Sequence, residues 1–208
     1  MCGAVAPAAF AQDLDETKVL AEQGDAKAQW ELGVAYDYGS GVPEDDGEAL
    51  RWYRLAAAQD YADAQLSLAF MYEFGSGVPE DGVEAVRWYR KAAEQGYAQA
   101  QHDLGFSYAK GDGVPEDDVE AMKWFRLAAE ACHAGAQYKL GESFANGTGV
   151  KKNLILSYQW LTISATQLNS DAFKGLKIVS KLMTPDQIEE AQKLTLECYE
   201  KKYKGCEM

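Results

Sequence analysis

Ala28-Gln29-x-x-Leu32-Gly33-x-x-Tyr36 returns as Ala64-Gln65-x-x-Leu68-Ala69-x-x-Tyr72, as Ala100-Gln101-x-x-Leu104-Gly105-x-x-Tyr108 and as Ala136-Gln137-x-x-Leu140-Gly141-x-x-Phe144, each copy 36 residues after the last. A fixed period of that size marks a repeat architecture in which no unit buries its apolar face alone. Within each copy the apolar positions step by four, as along one face of a helix.

Working outward, each copy is followed by a glycine connector: Gly39-Ser40-Gly41-Val42-Pro43-Glu44-Asp45, Gly75-Ser76-Gly77-Val78-Pro79-Glu80-Asp81 and Gly111-Asp112-Gly113-Val114-Pro115-Glu116-Asp117. The fourth keeps Gly147, Gly149 and Val150 but carries Lys151-Lys152-Asn153 in place of Pro-Glu-Asp. Paired glycines reach backbone angles that other residues disfavour, so these segments are turns. Asp45 with Glu48, Asp81 with Glu84 and Asp117 with Glu120 have capping-box spacing, which opens a second helix. Its apolar positions Ala49, Trp52, Tyr53, Ala56 and Ala57 step by three and four and recur at the same period. Small residues such as Gly33 and Ala57 let two helices approach while the aromatic rings fill the seam.

The ends depart from the pattern. Thr17 to Gln23, followed by Gly24 and Asp25, reads as the second helix of a partial leading unit. Ala172 and Leu176 keep the register of a fifth first helix. Thr184-Pro185-Asp186-Gln187 then opens a last helix to about Tyr199, with Thr as N-cap and Pro in the first turn. The expected organisation is therefore a leader-like segment 1–12, a leading helix in 13–25, four repeats at 26–61, 62–97, 98–133 and 134–169, and a degenerate repeat with a capping helix in 170–208. The fold class is all-α: a right-handed α-solenoid of antiparallel helix pairs.

The tandem order Ala26-x-Ala28-Gln29-x-x-Leu32-Gly33-x-x-Tyr36, then Gly39-x-Gly41-Val42-Pro43-x-Asp45, then Glu48-Ala49-x-x-Trp52-Tyr53-Arg54-x-Ala56-Ala57 resembles the Sel-one-like repeat (SLR) family, relatives of the tetratricopeptide repeats. The resemblance runs from about Asp25 to Ser170. Ala69 departs from it at a usual glycine, Asp60 and Cys132 depart at the turn where Gly96 sits in another copy, and the fourth connector departs in its charge.

Function is sought in the positions that vary between copies. The resemblance implies that first helices line a concave, peptide-binding face. By position that face would carry Trp30, Leu66, His102 and Tyr138; Val34, Phe70 and Phe106; and Tyr38, Phe74 and Lys110. Asp37 and Glu73 run beside this strip, with Glu31 and Asp103 one turn away, so a groove with acidic edges would suit a protein or peptide with a basic segment. The alternative for Val34, Phe70 and Phe106 is burial between neighbouring first helices.

The 208-residue chain has 20 basic and 33 acidic side chains, a formal net charge of −13. That argues against a nucleic-acid partner. The balance drifts: residues 1–150 hold 11 basic and 26 acidic side chains, residues 151–208 nine and seven. No apolar run is long enough for a membrane span. Ala9-Phe10-Ala11 before Gln12 has the small-x-small form of a signal-peptidase site, which predicts a periplasmic or secreted protein, the cytoplasm being the alternative. Cys198 and Cys206 are spaced to close a short disulfide loop worth roughly 2–3 kcal/mol in an oxidising compartment; otherwise they are two unrelated thiols.

Catalytic signals are sparse. Some cysteine-rich bacterial members of the resembled family are linked to penicillin binding or β-lactam hydrolysis, and Ser107-Tyr108-Ala109-Lys110 matches Ser-x-x-Lys, but neither Ser-Asp-Asn nor Lys-Thr-Gly accompanies it. With only His102 and His133 and no Cys-x-x-Cys, no metal ligand set is expected; Cys132-His133 reads as an inter-repeat turn. The glycine loops lack the Gly-Lys-Ser/Thr ending of a phosphate cradle. The reading is a non-enzymatic adaptor without a cofactor, with a cell-envelope enzyme or accessory subunit as the runner-up.

Overall fold

In the computed structural model, which describes residues 14–204, every regular element is helical. A leading α1 (Leu14–Glu22) precedes four pairs: α2 (Ala26–Asp37) with α3 (Asp46–Ala57), α4 (Ala62–Phe74) with α5 (Gly82–Glu94), α6 (Ala98–Lys110) with α7 (Asp118–Glu130), and α8 (Ala134–Asn146) with α9 (Leu154–Ala165). Then come α10 (Ser170–Val179), a short 3-10 turn (Ser180–Leu182) and α11 (Pro185–Glu200). The fold is thus all-α, a tandem helix-pair array of the α-solenoid class. The helices gather into two compact units. Of the described residues, the first holds those up to Gln95 with Asp112–Val114; the second holds Gly96–Gly111 and those from Pro115 onward.

The second helices are capped as anticipated at one atom and differently at another. Asp45 Oδ1 accepts the amide of Glu48, Asp81 that of Glu84, and Asp117 those of Val119 and Glu120. The reciprocal half of a capping box is not made. The N-cap amide is already used: Asp45 N–H donates to Tyr36 O at 2.9 Å, Asp81 to Tyr72 O and Asp117 to Tyr108 O. The freed glutamate pairs forward instead, Glu48 with Arg51, Glu84 with Arg87 and Glu120 with Lys123. The full box is made in α11, between Thr184 and Gln187, with Pro185 in its first turn.

The connector of the fourth repeat keeps the geometry of the others despite its changed residues. Asn153 caps α9 through Oδ1 and its N–H donates to Phe144 O. The second connector glycine also serves a close approach: a Cβ at Gly77 would lie 2.7 Å from Asp46 O, and one at Gly149 2.3 Å from Asp118 O. Between repeats, Gly24, Asp60, Gly96, Cys132 and Leu168 all adopt positive φ. Asp60 and Cys132 therefore keep the turn that glycine makes elsewhere.

Packing follows the small-against-ring logic. A Cβ at Gly33 would meet Tyr53 Cδ1 at 2.6 Å, and one at Gly141 would meet Leu161 Cγ at 2.6 Å. In the first unit Ala49, Tyr53, Ala56, Leu68 and Met71 form one core and Ala28, Leu32 and Trp52 another. In the second, Phe125, Leu140, Phe144, Trp160 and Ile163 form the larger core. The repeated glutamine has a structural role. Gln29 Nε2 donates to Ala21 O of the preceding helix, and Gln59 Nε2 donates to Gln29 Oε1 at 2.8 Å. Gln95 bonds Gln65, and Gln167 bonds Gln137, in the same way. The third repeat holds Ala131 at that place, so the bridge is missing there.

α10 starts in register, with Asn169 as N-cap and Ala172 buried. It does not pair with α11; both pack on α9. Lys177, which is exposed, occupies the position that Gly33 and Gly141 hold in their repeats, so the close glycine approach seen there has no counterpart in α10.

Candidate functional site

The variable first-helix positions fall into two sets, one on each unit. In the first unit Trp30 is not a free anchor: its ring lies 5.9 Å from Tyr61 and Nε1 donates to Ser67 Oγ at 3.1 Å. Val34 is half-buried against the core, and Leu66 is half-buried. Phe70 lies between Phe74 (6.3 Å, stacked) and Tyr89 (5.7 Å, edge-on). The freely presented rings are at the helix ends, where Tyr38 is 74% and Phe74 71% exposed. They are 36 residues apart and equivalent in their repeats.

The acidic residues beside this strip have internal partners. Tyr53 Oη donates to Asp37 Oδ2 at 3.0 Å, and Tyr89 Oη donates to Glu73 Oε2. Glu31 pairs with Lys27 at 3.1 Å, while Asp103 meets His102 Nδ1 at 2.7 Å and accepts from Gln99. Burial raises the Asp37 carboxyl above its ordinary range, with Asp46 adding repulsion and the Tyr53 hydroxyl opposing both. These four acids are thus first of all structural.

In the second unit His102 stacks near Phe106 (6.3 Å), and Lys110 Nζ lies 4.4 Å from the Phe106 ring centre. Phe106 forms the wall of a cleft of about 250 Å³ that Lys110, Met122, Phe125 and Lys139 also line. Lys139, which pairs with Glu142 at 2.8 Å, continues the row of Glu31 and Asp103 with the opposite charge. Tyr138 is half-buried and donates to Glu142. Burial, with Glu142 beside it, pushes its hydroxyl up to about 12.

The histidines serve a turn. His133 Nδ1 accepts the Ala136 amide as the N-cap of α8, and its Nε2 faces Gln99 Oε1 at 3.0 Å. Burial, with His102 4.5 Å away ring to ring, lowers His133 to about 4. No group of three or more His, Cys, Asp or Glu among the described residues is arranged to hold a metal. Ser107 is buried and its hydroxyl donates to Asp103 O of its own helix, which is not the setting of an activated nucleophile. Cys132, read from the sequence only as a turn residue, and Cys198 are each disulfide-bonded, and no described cysteine is a free thiol. The expected Cys198–Cys206 pair involves Cys206, which lies outside the described residues, as does the segment 1–12.

The 36-residue helix-pair geometry is the one the Sel1 repeat profile encodes, and that profile matches residues 26–61, 62–97, 98–131 and 134–167. The chain belongs to the Sel1 repeat family. It is similar to c5321, a protective antigen of uropathogenic Escherichia coli with an SLR fold: 41% identity, TM-score 0.76, covering 77% of this chain and 34% of that one. A Sel1 repeat protein from Oxalobacter formigenes is 36% identical (TM-score 0.75), over 80% of this chain and 48% of that one. This Sel1 repeat chain therefore spans less than half the length of either. Cysteine-rich protein B of Helicobacter pylori, 22% identical with a TM-score of 0.51 over 65% of this chain and 98% of its own, shares the fold. No curated protein matches the chain. Sel1 repeat proteins are in general protein-interaction scaffolds. No helix among the described residues is long and apolar enough to cross a membrane.

Proposed function

We propose that this Sel1 repeat protein is a non-catalytic adaptor that captures a segment of another protein on its first helices. The observation that carries the reading is the exposure of Tyr38 and Phe74 at equivalent helix ends. Large exposed rings at repeated positions outside the core are what an apolar anchor of a partner docks against. Phe70 backs Phe74, and in the second unit Phe106 with Lys110 offers a second apolar surface. A basic partner segment fits the net charge of −13 through the overall field, since Glu31, Asp37, Glu73 and Asp103 are engaged internally. Export to an oxidising compartment is part of the proposal; the disulfide-bonded Cys132 and Cys198 support it.

The test is a Tyr38→Ser/Phe74→Ser variant, compared with wild type for capture of partner from envelope extract. Loss of a specific captured protein with an unchanged melting curve is expected. Undiminished capture would overturn the assignment. Trp30 is unsuitable for this purpose because its removal also breaks the bond to Ser67.

A further inference from the structure

Arg54 in α3 donates to Tyr72 Oη in α4 at 2.9 Å, beside the connector that carries Pro79-Glu80-Asp81. Two repeats on, the same place is occupied by Arg126, Phe144 and Lys151-Lys152-Asn153. Three changes coincide there. The tyrosine hydroxyl is gone, Pro-Glu-Asp of the connector has become Lys-Lys-Asn, and the first turn of α9 holds no acidic residue where α3, α5 and α7 each hold at least one.

The result is a cleft of about 670 Å³. Arg126, Lys151 and Lys152 supply its charge, Phe144, Val150, Leu154 and Ile155 its apolar wall, and no carboxylate is among the described residues that line it. Neither lysine has an ion-pair partner among the described residues. Gln187 of α11 closes one side; its Oε1 is engaged by the Thr184 amide, which turns the amide nitrogen to other acceptors. The cleft is thus cationic and apolar-walled on a chain of net charge −13, at the point where the charge balance turns basic.

We infer that this cleft, between α7, α8, α9 and the start of α11, docks an acidic protein segment: carboxylates against Lys151 and Lys152, with one apolar side chain between them against Phe144 and Ile155. Two adjacent exposed lysines, each a flexible point charge, suit several flexible carboxylates better than a single compact anion. The inference rests on the adaptor reading but concerns other residues than Tyr38 and Phe74. The two can therefore fail separately.

The experiment is a titration of the isotope-labelled full chain, followed by amide chemical shifts, with the end-blocked peptide Glu-Glu-Leu-Glu-Glu up to millimolar concentration. Saturable shifts confined to residues 150–156 and the neighbourhood of Arg126, Phe144 and Gln187 are expected. The Lys151→Glu/Lys152→Glu variant, which reverses the charge of the connector and leaves the Asn153 cap intact, should bind roughly tenfold more weakly or worse. Its melting temperature should match wild type. No shifts, shifts elsewhere, equal binding by the variant, or equal shifts with Gln-Gln-Leu-Gln-Gln or inorganic phosphate would each overturn the assignment.

Discussion

Tyr53 Oη donates to Asp37 Oδ2 at 3.0 Å, joining the end of α2 to the middle of α3, and the two residues change together along the chain. Where the ring carries a hydroxyl the acid is present, as Asp37 with Tyr53 and Glu73 with Tyr89. Where the ring is Phe125 or the residue is Leu161, the acid is replaced by Ala109 or Ala145. A half-buried carboxylate without its donor is costly, so the pair persists or disappears as a unit. Tyr53→Phe alone should destabilise by about 1–2 kcal/mol, and Tyr53→Phe with Asp37→Ala, which copies the third repeat, should recover part of that loss. Urea unfolding of the four members of the cycle measures the coupling, and strictly additive losses would contradict it.

The missing glutamine bridge can be restored. Ala131→Gln places an amide where Gln59, Gln95 and Gln167 bond the buried glutamine of their own repeats. One added hydrogen bond should stabilise the second unit by about 0.5–1.5 kcal/mol, seen as a higher melting temperature. A lower one would show that the third repeat is built differently from its neighbours at this turn.

Acid should weaken the α7–α8 turn. Neutral His133 accepts the Ala136 amide, and its folded-state value of about 4 lies below the ordinary 6.5. Between those values the unfolded chain binds more protons, so this contribution is complete above about pH 6.5 and is lost as pH falls toward 4. Allowing for partial exposure to water, the loss should be on the order of 1–2 kcal/mol. His102, Asp103 and Gln99 face the ring and remain in place in a His133→Asn variant. Asparagine caps α10 at the equivalent Asn169, so the variant should fold and show a shallower stability decline over this window. Parallel curves for the two proteins would refute the role of His133.

Leu168 combines a φ of 65° with 85% exposure, at the turn where Gly24 and Gly96 sit in other copies. A branched side chain gains little there and holds a left-handed backbone at a cost. Leu168→Gly should therefore raise stability by about 0.5–1 kcal/mol in urea titrations, despite the added freedom of the unfolded chain.

The period, the helix pairs and the N-cap aspartates of the second helices are legible in the sequence because each rests on local chemistry that recurs. Hidden from the sequence was what depends on a second element. The capping boxes lost their reciprocal half because the amide of Asp45 reaches the Tyr36 carbonyl on the preceding helix. Asp37 and Glu73, which their sequence positions place along groove edges, are held by Tyr53 and Tyr89, 16 positions away. The bond from the Trp30 N–H to Ser67, 37 positions away, has no signature in the sequence. Nothing in the spacing of Lys151 and Lys152 announces that Arg126 joins them in one cleft.

The central claim, that a partner segment lies against the first-helix ends, is tested most directly by site-specific photo-crosslinking in living cells. A benzophenone side chain at Phe74 is compared with one at Val83, a similarly exposed apolar residue on the second helix α5. The prediction is a discrete protein adduct from position 74 that is absent from position 83 and that disappears with Tyr38→Ser. Identical adducts from both positions, or none from position 74, would contradict it.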